Sequence, residues 1–112
     1  MRGQRRSEME YPKISKLTEE NLKLNILRFS WFYGFNISPE KNLDKYVVRL
    51  KGVGHCACHD ERLSCPCPEA ESEVKSQGYC SCQLFVDNSY LRVIQERIQR
   101  KVRANPDYRP DK

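Results

Sequence analysis

Apolar residues recur along this chain in three helical stripes, separated by glycine and proline. In the first, Leu22, Ile26, Phe29 and Tyr33 share one face, and Leu27 and Trp31 widen it. Thr18 stands where an N-cap belongs. Glu19 and Glu20 follow in a first turn where carboxylates suit the helix dipole, and Gly34 ends the run. A second start is written as Ser38-Pro39-Glu40: a capping serine, a proline at the first helical position, then an acid. Leu43, Tyr46, Val47 and Leu50 continue it at i, i+3, i+4 and i+7, until Gly52-Val53-Gly54. Asp87-Asn88-Ser89 caps a third helix whose apolar positions are Leu91, Ile94, Ile98 and Val102, with basic last turns and a stop at Asn105-Pro106.

Between the second and third stripes, residues 55–82 read as loops and short turns, with a brief helix expected from Glu69 to Lys75 after Pro68. No repeat and no strong strand pattern is present. The fold class predicted is mainly α: a small single domain of about three to five short helices. Residues 1–16 read as a flexible basic N-terminal arm, since Pro12 breaks any helix and no apolar period occurs there. Residues 17–104 form the domain, and 105–112, with Pro106 and Pro110 among charges, a disordered tail.

Composition adds a constraint on stability. The chain has 112 residues, of which 38% are hydrophobic, below the usual share, and its mean hydropathy is −0.79. A chain this polar builds a thin core, and a metal centre that binds only the folded state adds stability the core lacks. The N-terminus carries charge with no apolar stretch after it, and no apolar run approaches the roughly 20 residues that span a bilayer. The expected location is therefore cytoplasmic, with no membrane partner, where free or metal-bound thiols are favoured over structural disulfides.

The formal charge of +5 is uneven. Arg2, Arg5 and Arg6 open the chain, and Arg92, Arg97, Arg100, Lys101 and Arg103 crowd its end. Such a distribution serves as a solvated helix face or as a docking surface for an acidic protein or nucleic acid.

The chemistry lies in the cysteines. All six fall in three Cys-x-Cys pairs: Cys56-Ala57-Cys58, Cys65-Pro66-Cys67 and Cys80-Ser81-Cys82. A disulfide within such a pair closes a small strained ring, so bonding between different pairs is favoured. The spacings do not match the usual zinc templates, whereas iron–sulfur clusters accept four cysteines at more varied spacings. Six thiols then divide as four ligands and two left for redox chemistry. Two other readings use the same residues. One is a structural zinc or iron–sulfur binding module whose basic ends meet nucleic acid; the absence of a nucleic-acid motif and of aromatics among the basic residues weighs against it. The other is a simple iron–sulfur electron carrier with two idle thiols.

The three pairs resemble those of the catalytic subunit of ferredoxin:thioredoxin reductase, in its non-photosynthetic branch. Cys65-Pro66-Cys67 is similar to the family's central Cys-Pro-Cys, and twelve residues separate it from the last pair. Gly78-Tyr79-Cys80-Ser81-Cys82-Gln83-Leu84-Phe85-Val86 resembles the family's Cys-x-Cys-x-Leu-Phe ending. Tyr33-Gly34-Phe35-Asn36-Ile37-Ser38-Pro39 resembles the segment that precedes the helix leading to the first pair. The likeness covers residues 18–90. It implies helices and loops wrapped around a [4Fe-4S] cluster, with Cys56, Cys65, Cys67 and Cys80 as metal ligands and Cys58 and Cys82 as the redox-active disulfide.

The resemblance also implies an activity. Ferredoxin delivers single electrons, a thioredoxin or similar protein disulfide is reduced, and a small second subunit is a possible partner. Cys58 is the implied exposed nucleophile, which requires thiolate character. The chain departs from the pattern in three places. Ala57 replaces a proline, only six residues (His59 to Ser64) separate the first two pairs, and Ser81 stands where plant-type enzymes carry a histidine. His55 and His59, flanking the first pair, are candidates for the missing imidazole's role.

Overall fold

The computed structural model describes residues 11–56 and 59–109. Cys58, the expected nucleophile, lies outside the described residues, as do residues 1–10 of the expected arm and 110–112 of the expected tail. The fold is mainly helical, as the three stripes predict. Its elements are a short 3-10 turn (Ile14–Lys16), α1 (Glu19–Tyr33), β1 (Asn36–Ile37), α2 (Leu43–Val53), α3 (Ala70–Gln77), β2 (Phe85–Val86) and α4 (Asn88–Ala104). Among the described residues no helix is long and apolar enough to cross a membrane.

The predicted caps of α1 form. Thr18 Oγ1 accepts from the Asn21 N–H at 3.0 Å, and Gly34 closes the helix at φ 71°, a left-handed conformation that only glycine takes cheaply. Leu22, Ile26 and Phe29 are fully buried. Leu27 and Trp31, expected to widen that stripe, instead face solvent, Trp31 at 82% exposure. The core meets α1 along one narrow face, because α2 is its principal neighbour.

The second helix begins later than Ser38-Pro39 predicts. Asn42 is its N-cap, accepting from the Lys45 N–H at 3.2 Å. Ser38 is buried, donates its N–H to Leu84 O at 2.8 Å, and accepts from Lys41 N–H in a separate turn. Its Oγ accepts from the Glu40 N–H at 3.2 Å, so Ser38 caps this turn and not the helix, and its backbone pairs with the chain near residue 84. That pairing extends a two-stranded antiparallel ladder, Asn36 opposite Val86 and Ile37 opposite Phe85. Two-residue strands are too short to leave an alternating pattern in the sequence.

The brief helix expected at Glu69–Lys75 is α3, shifted by one residue at its start and two at its end. Asp87 caps α4 by accepting from the Tyr90 N–H at 2.8 Å. The arm expected to end at residue 16 includes a core residue: Ile14 is fully buried, and its N–H donates to Leu63 O at 2.8 Å. A single apolar side chain gives no period, so its burial was invisible to a pattern argument.

The core joins one face of α1 to Tyr46, Val47 and Leu50 of α2, Ala70 and Val74 of α3, and Leu84 and Phe85. Phe29 is its aromatic centre, with ring centroids 4.7 Å from Phe85 and 4.8 Å from Tyr33. Burying a phenylalanine of this kind contributes about 1.5–3 kcal/mol. Five cysteines belong to the same buried cluster, so the thiols and the hydrophobic core form one body.

Candidate functional site

Three loops carry five cysteines, at least one from each pair, to one place. The first begins where Gly54, at φ 80°, turns the chain out of α2. The Cys56 N–H then donates to Arg62 O at 2.8 Å, and the Arg62 N–H to His59 O at 3.1 Å. The second pair leads into α3: the Cys65–Pro66 peptide bond is cis, and Cys67 O accepts from the Ala70 N–H at 3.1 Å. The third pair follows α3 and Gly78. Cys80 N–H donates to Phe85 O at 3.0 Å, and Gln83 N–H to Cys80 O at 2.7 Å. This turn places Gln83 at φ 61°, a conformation that costs a non-glycine residue about 1–2 kcal/mol. The ladder formed by the following residues holds it.

Cys56, Cys65, Cys67, Cys80 and Cys82 all line one buried cavity, together with Arg62, Glu73, Ser81 and Phe85. Each of the five is buried and none is in a disulfide. The Sγ atoms of Cys80 and Cys82 are 3.6 Å apart, and Cys56 is close enough to Cys82 to act on its thiol. The four expected ligands and one member of the expected redox pair are therefore neighbours, although they span residues 56–82.

The electrostatics of the thiols differ. Burial pushes the Cys65 thiol well up, helped by the Cys82, Cys56 and Cys67 sulfurs. Burial also pushes Cys67 up to about 11, against the pull of the Arg62 cation. At Cys82 the hydrogen bond with Cys56 acts downward, but the bond to Cys80 and burial outweigh it, giving about 11. Cys80 moves the other way: its hydrogen bond with Cys82, reinforced by the Phe85 and Leu84 N–H groups, lowers it despite burial. A set of thiols this dry holds its protons unless a metal displaces them, since a coordinating thiol is deprotonated outright.

Among the described residues no group of three or more His, Cys, Asp or Glu side chains is disposed to hold one metal ion. An iron–sulfur cluster asks something different, because each of its irons takes one thiolate and the ligands surround a body instead of meeting at a point. The donor set fits that demand chemically: four soft thiol ligands, buried, from three loops around one cavity, with a fifth beside them. The cavity between them is only about 10 Å³, room for a single water. Seating a cluster therefore requires the loops to part.

Two residues of the site carried no signal in the sequence, and a third was legible only as a core position. Arg62 Nη1 donates toward Cys67 Sγ at 3.7 Å and Nη2 pairs with Glu73 Oε2 at 3.0 Å. Glu73 in turn accepts from the Ser81 N–H at 3.0 Å and from the Ser81 hydroxyl at 2.9 Å. Burial opposes ionisation of Glu73, but Arg62 and Ser81 prevail and its carboxyl lies below the usual range. The third residue, Tyr46, is 5% exposed and its hydroxyl has no hydrogen-bond partner. Of the two histidines that flank the first pair, His55 Nδ1 donates to Cys56 O at 2.8 Å, and His59 Nδ1 lies 3.4 Å from Glu61 Oε2.

No protein-family model, curated protein or solved structure gives a significant match to this chain. Its functional reading therefore rests on the site itself and on the motif resemblance described above.

Proposed function

We propose that this chain is a ferredoxin-dependent disulfide reductase, resembling the catalytic subunit of ferredoxin:thioredoxin reductase and acting on a thioredoxin-like protein disulfide. The observation that carries the reading is the gathering of five buried thiols, from all three Cys-x-Cys pairs, around one cavity. Cys56, Cys65, Cys67 and Cys80 would hold a [4Fe-4S] cluster. Bound there, the cluster supplies one-electron transfer between the donor and the neighbouring disulfide.

The chain's own residues perform the exchange. Cys58 thiolate attacks one sulfur of the substrate disulfide, breaking that bond and releasing one substrate thiolate as a mixed disulfide forms. Cys82 thiolate then attacks the Cys58 sulfur, releasing the second substrate thiolate and leaving Cys58 bonded to Cys82. Two electrons, delivered singly by ferredoxin, reopen that bond, and two protons from solvent complete the substrate thiols. The place of Cys82, 3.6 Å from Cys80, supports its role beside a ligand. Ser81 is held by Glu73 through both its N–H and its hydroxyl, which suits an anchor for the last pair. The exposed basic residues Arg92, Arg100, Lys101 and Arg103 of α4 suit an acidic donor such as ferredoxin. A reducing cytoplasm suits the free thiols.

The test is to purify the protein without oxygen and to measure iron, sulfide, zinc and thiols on one sample. Four irons and four sulfides, with two cysteines protected from alkylation until a reductant is added, support the reductase. Zinc points to a structural binding module, and a cluster beside two freely reactive thiols points to an electron carrier. Either result overturns the reading.

A further inference from the structure

Arg62 touches two of the cysteine pairs and is linked to the third through one carboxylate. Its carbonyl accepts from the Cys56 N–H at 2.8 Å, its guanidinium reaches Cys67 Sγ at 3.7 Å, and through Glu73 it is linked to Ser81 of the last pair. Its side chain is only 16% exposed, and that of Glu73 19%, so neither charge is well screened by water. Nε lies 3.9 Å from the more exposed Glu69. A guanidinium is always charged and presents its donors in a fixed fork, so this contact is permanent in a way a lysine's would not be.

We propose that Arg62 is the charge partner of the thiolate centre and sets its reduction potential, with Glu73 limiting how much of the cation's field reaches the sulfur. The proposal rests on the reductase reading, since it presumes a redox-active metal centre on these thiols. An electron added to that centre adds one negative charge and makes or breaks no bond to either residue. A cation at the sulfur of a ligand favours the more negative, reduced state, and a buried carboxylate behind it opposes that state. Arg62 and Glu73 should therefore move the potential in opposite directions. Both are positioning residues, acting through Cys67 and Ser81 and not on a substrate.

The experiment is a redox titration, followed by the visible absorption of the centre, on anaerobically purified protein whose iron and sulfide have been counted. Arg62→Gln is expected to lower the equilibrium constant for reduction about tenfold, which is about 59 mV for a one-electron couple. Glu73→Gln is expected to raise it by a smaller factor, and Arg62→Lys to fall between Arg62→Gln and the parent. If the purely structural account holds, both glutamine variants lose cluster and any centre retained titrates as the parent does. Potentials that stay put, or that shift the same way, overturn the proposal. Should Arg62→Gln fail to keep its iron, Glu73→Gln decides alone: a rise supports the proposal, and no change or a fall overturns it. Absence of iron from the parent protein overturns both this inference and the reductase reading. A parent with cluster and disulfide but unmoved variants overturns the inference only.

Discussion

The Tyr46 hydroxyl is buried facing the Cys82 thiol, close to it but without the geometry of a completed hydrogen bond. Burial first, and then the Cys82 and Cys65 sulfurs, hold its proton far more tightly than an ordinary tyrosine does. The ring is a core residue at the i+3 position of the α2 stripe, while its polar tip lies beside the Cys82 thiol.

An unsatisfied buried hydroxyl costs about 1–3 kcal/mol. Tyr46→Phe keeps the ring and removes the oxygen. Its urea midpoint is expected to match the parent's or to exceed it by up to about 1 kcal/mol in stability. A loss of that size instead would show that the hydroxyl has a partner in the protein as purified.

The cysteines should divide by iron content. Cys65→Ser and Cys67→Ser, at buried positions of the central pair, are expected to lose iron and with it much of the stability. Cys58→Ser and Cys82→Ser are expected to keep iron and lose disulfide turnover. Iron assays alongside turnover on a thioredoxin-like disulfide check the division, and iron loss in Cys58→Ser would contradict the assignment of that residue.

The basic residues of α4 are not equivalent. Arg97 binds Glu40 at two points, Nε to Oε2 at 2.9 Å and Nη2 to Oε1 at 2.7 Å, tying α4 to the turn before α2. A double-mutant cycle on this partly buried fork is expected to give a coupling of about 1 kcal/mol. Exposed Arg100, Lys101 and Arg103 should leave stability within about 0.5 kcal/mol when changed to glutamine. Their loss is instead expected to weaken ferredoxin binding and to flatten its dependence on salt. Calorimetric titration at two ionic strengths separates the effects.

Phe29 packs against rings from Tyr33, Phe35 and Phe85, so it couples α1 to the strand that follows the last cysteine pair. Phe29→Ala is expected to cost about 3–5 kcal/mol, a large part of the stability of so small a domain. Thermal unfolding followed by circular dichroism checks it, and the variant should also expose the thiols to faster alkylation.

The sequence by itself determined that the chain is mainly helical and which residues are its thiols. Local signals act within a few residues, and those at Thr18, Gly34 and Asp87 mark real helix ends, while the stripes mark faces only in part: Leu22, Ile26, Phe29 and Ile94 are buried, but Leu27, Trp31 and Val102 are exposed. The six cysteines, confined to three pairs, announced a thiol centre without any structure. Tertiary structure decided what long-range contacts decide. Ser38 reads as a helix cap, but its Oγ caps only a short turn while Leu84, distant in the chain, pairs with its N–H. Ile14 reads as part of an arm until Leu63 meets it. Arg62 and Glu73 are ordinary charged residues in sequence, and become parts of the site only because the loops bring Cys67 and Ser81 to them. The physical reason is one of range. Periodicity and capping are fixed by neighbours three or four positions away, while a buried charge or hydroxyl takes its meaning from whatever the folded chain places beside it.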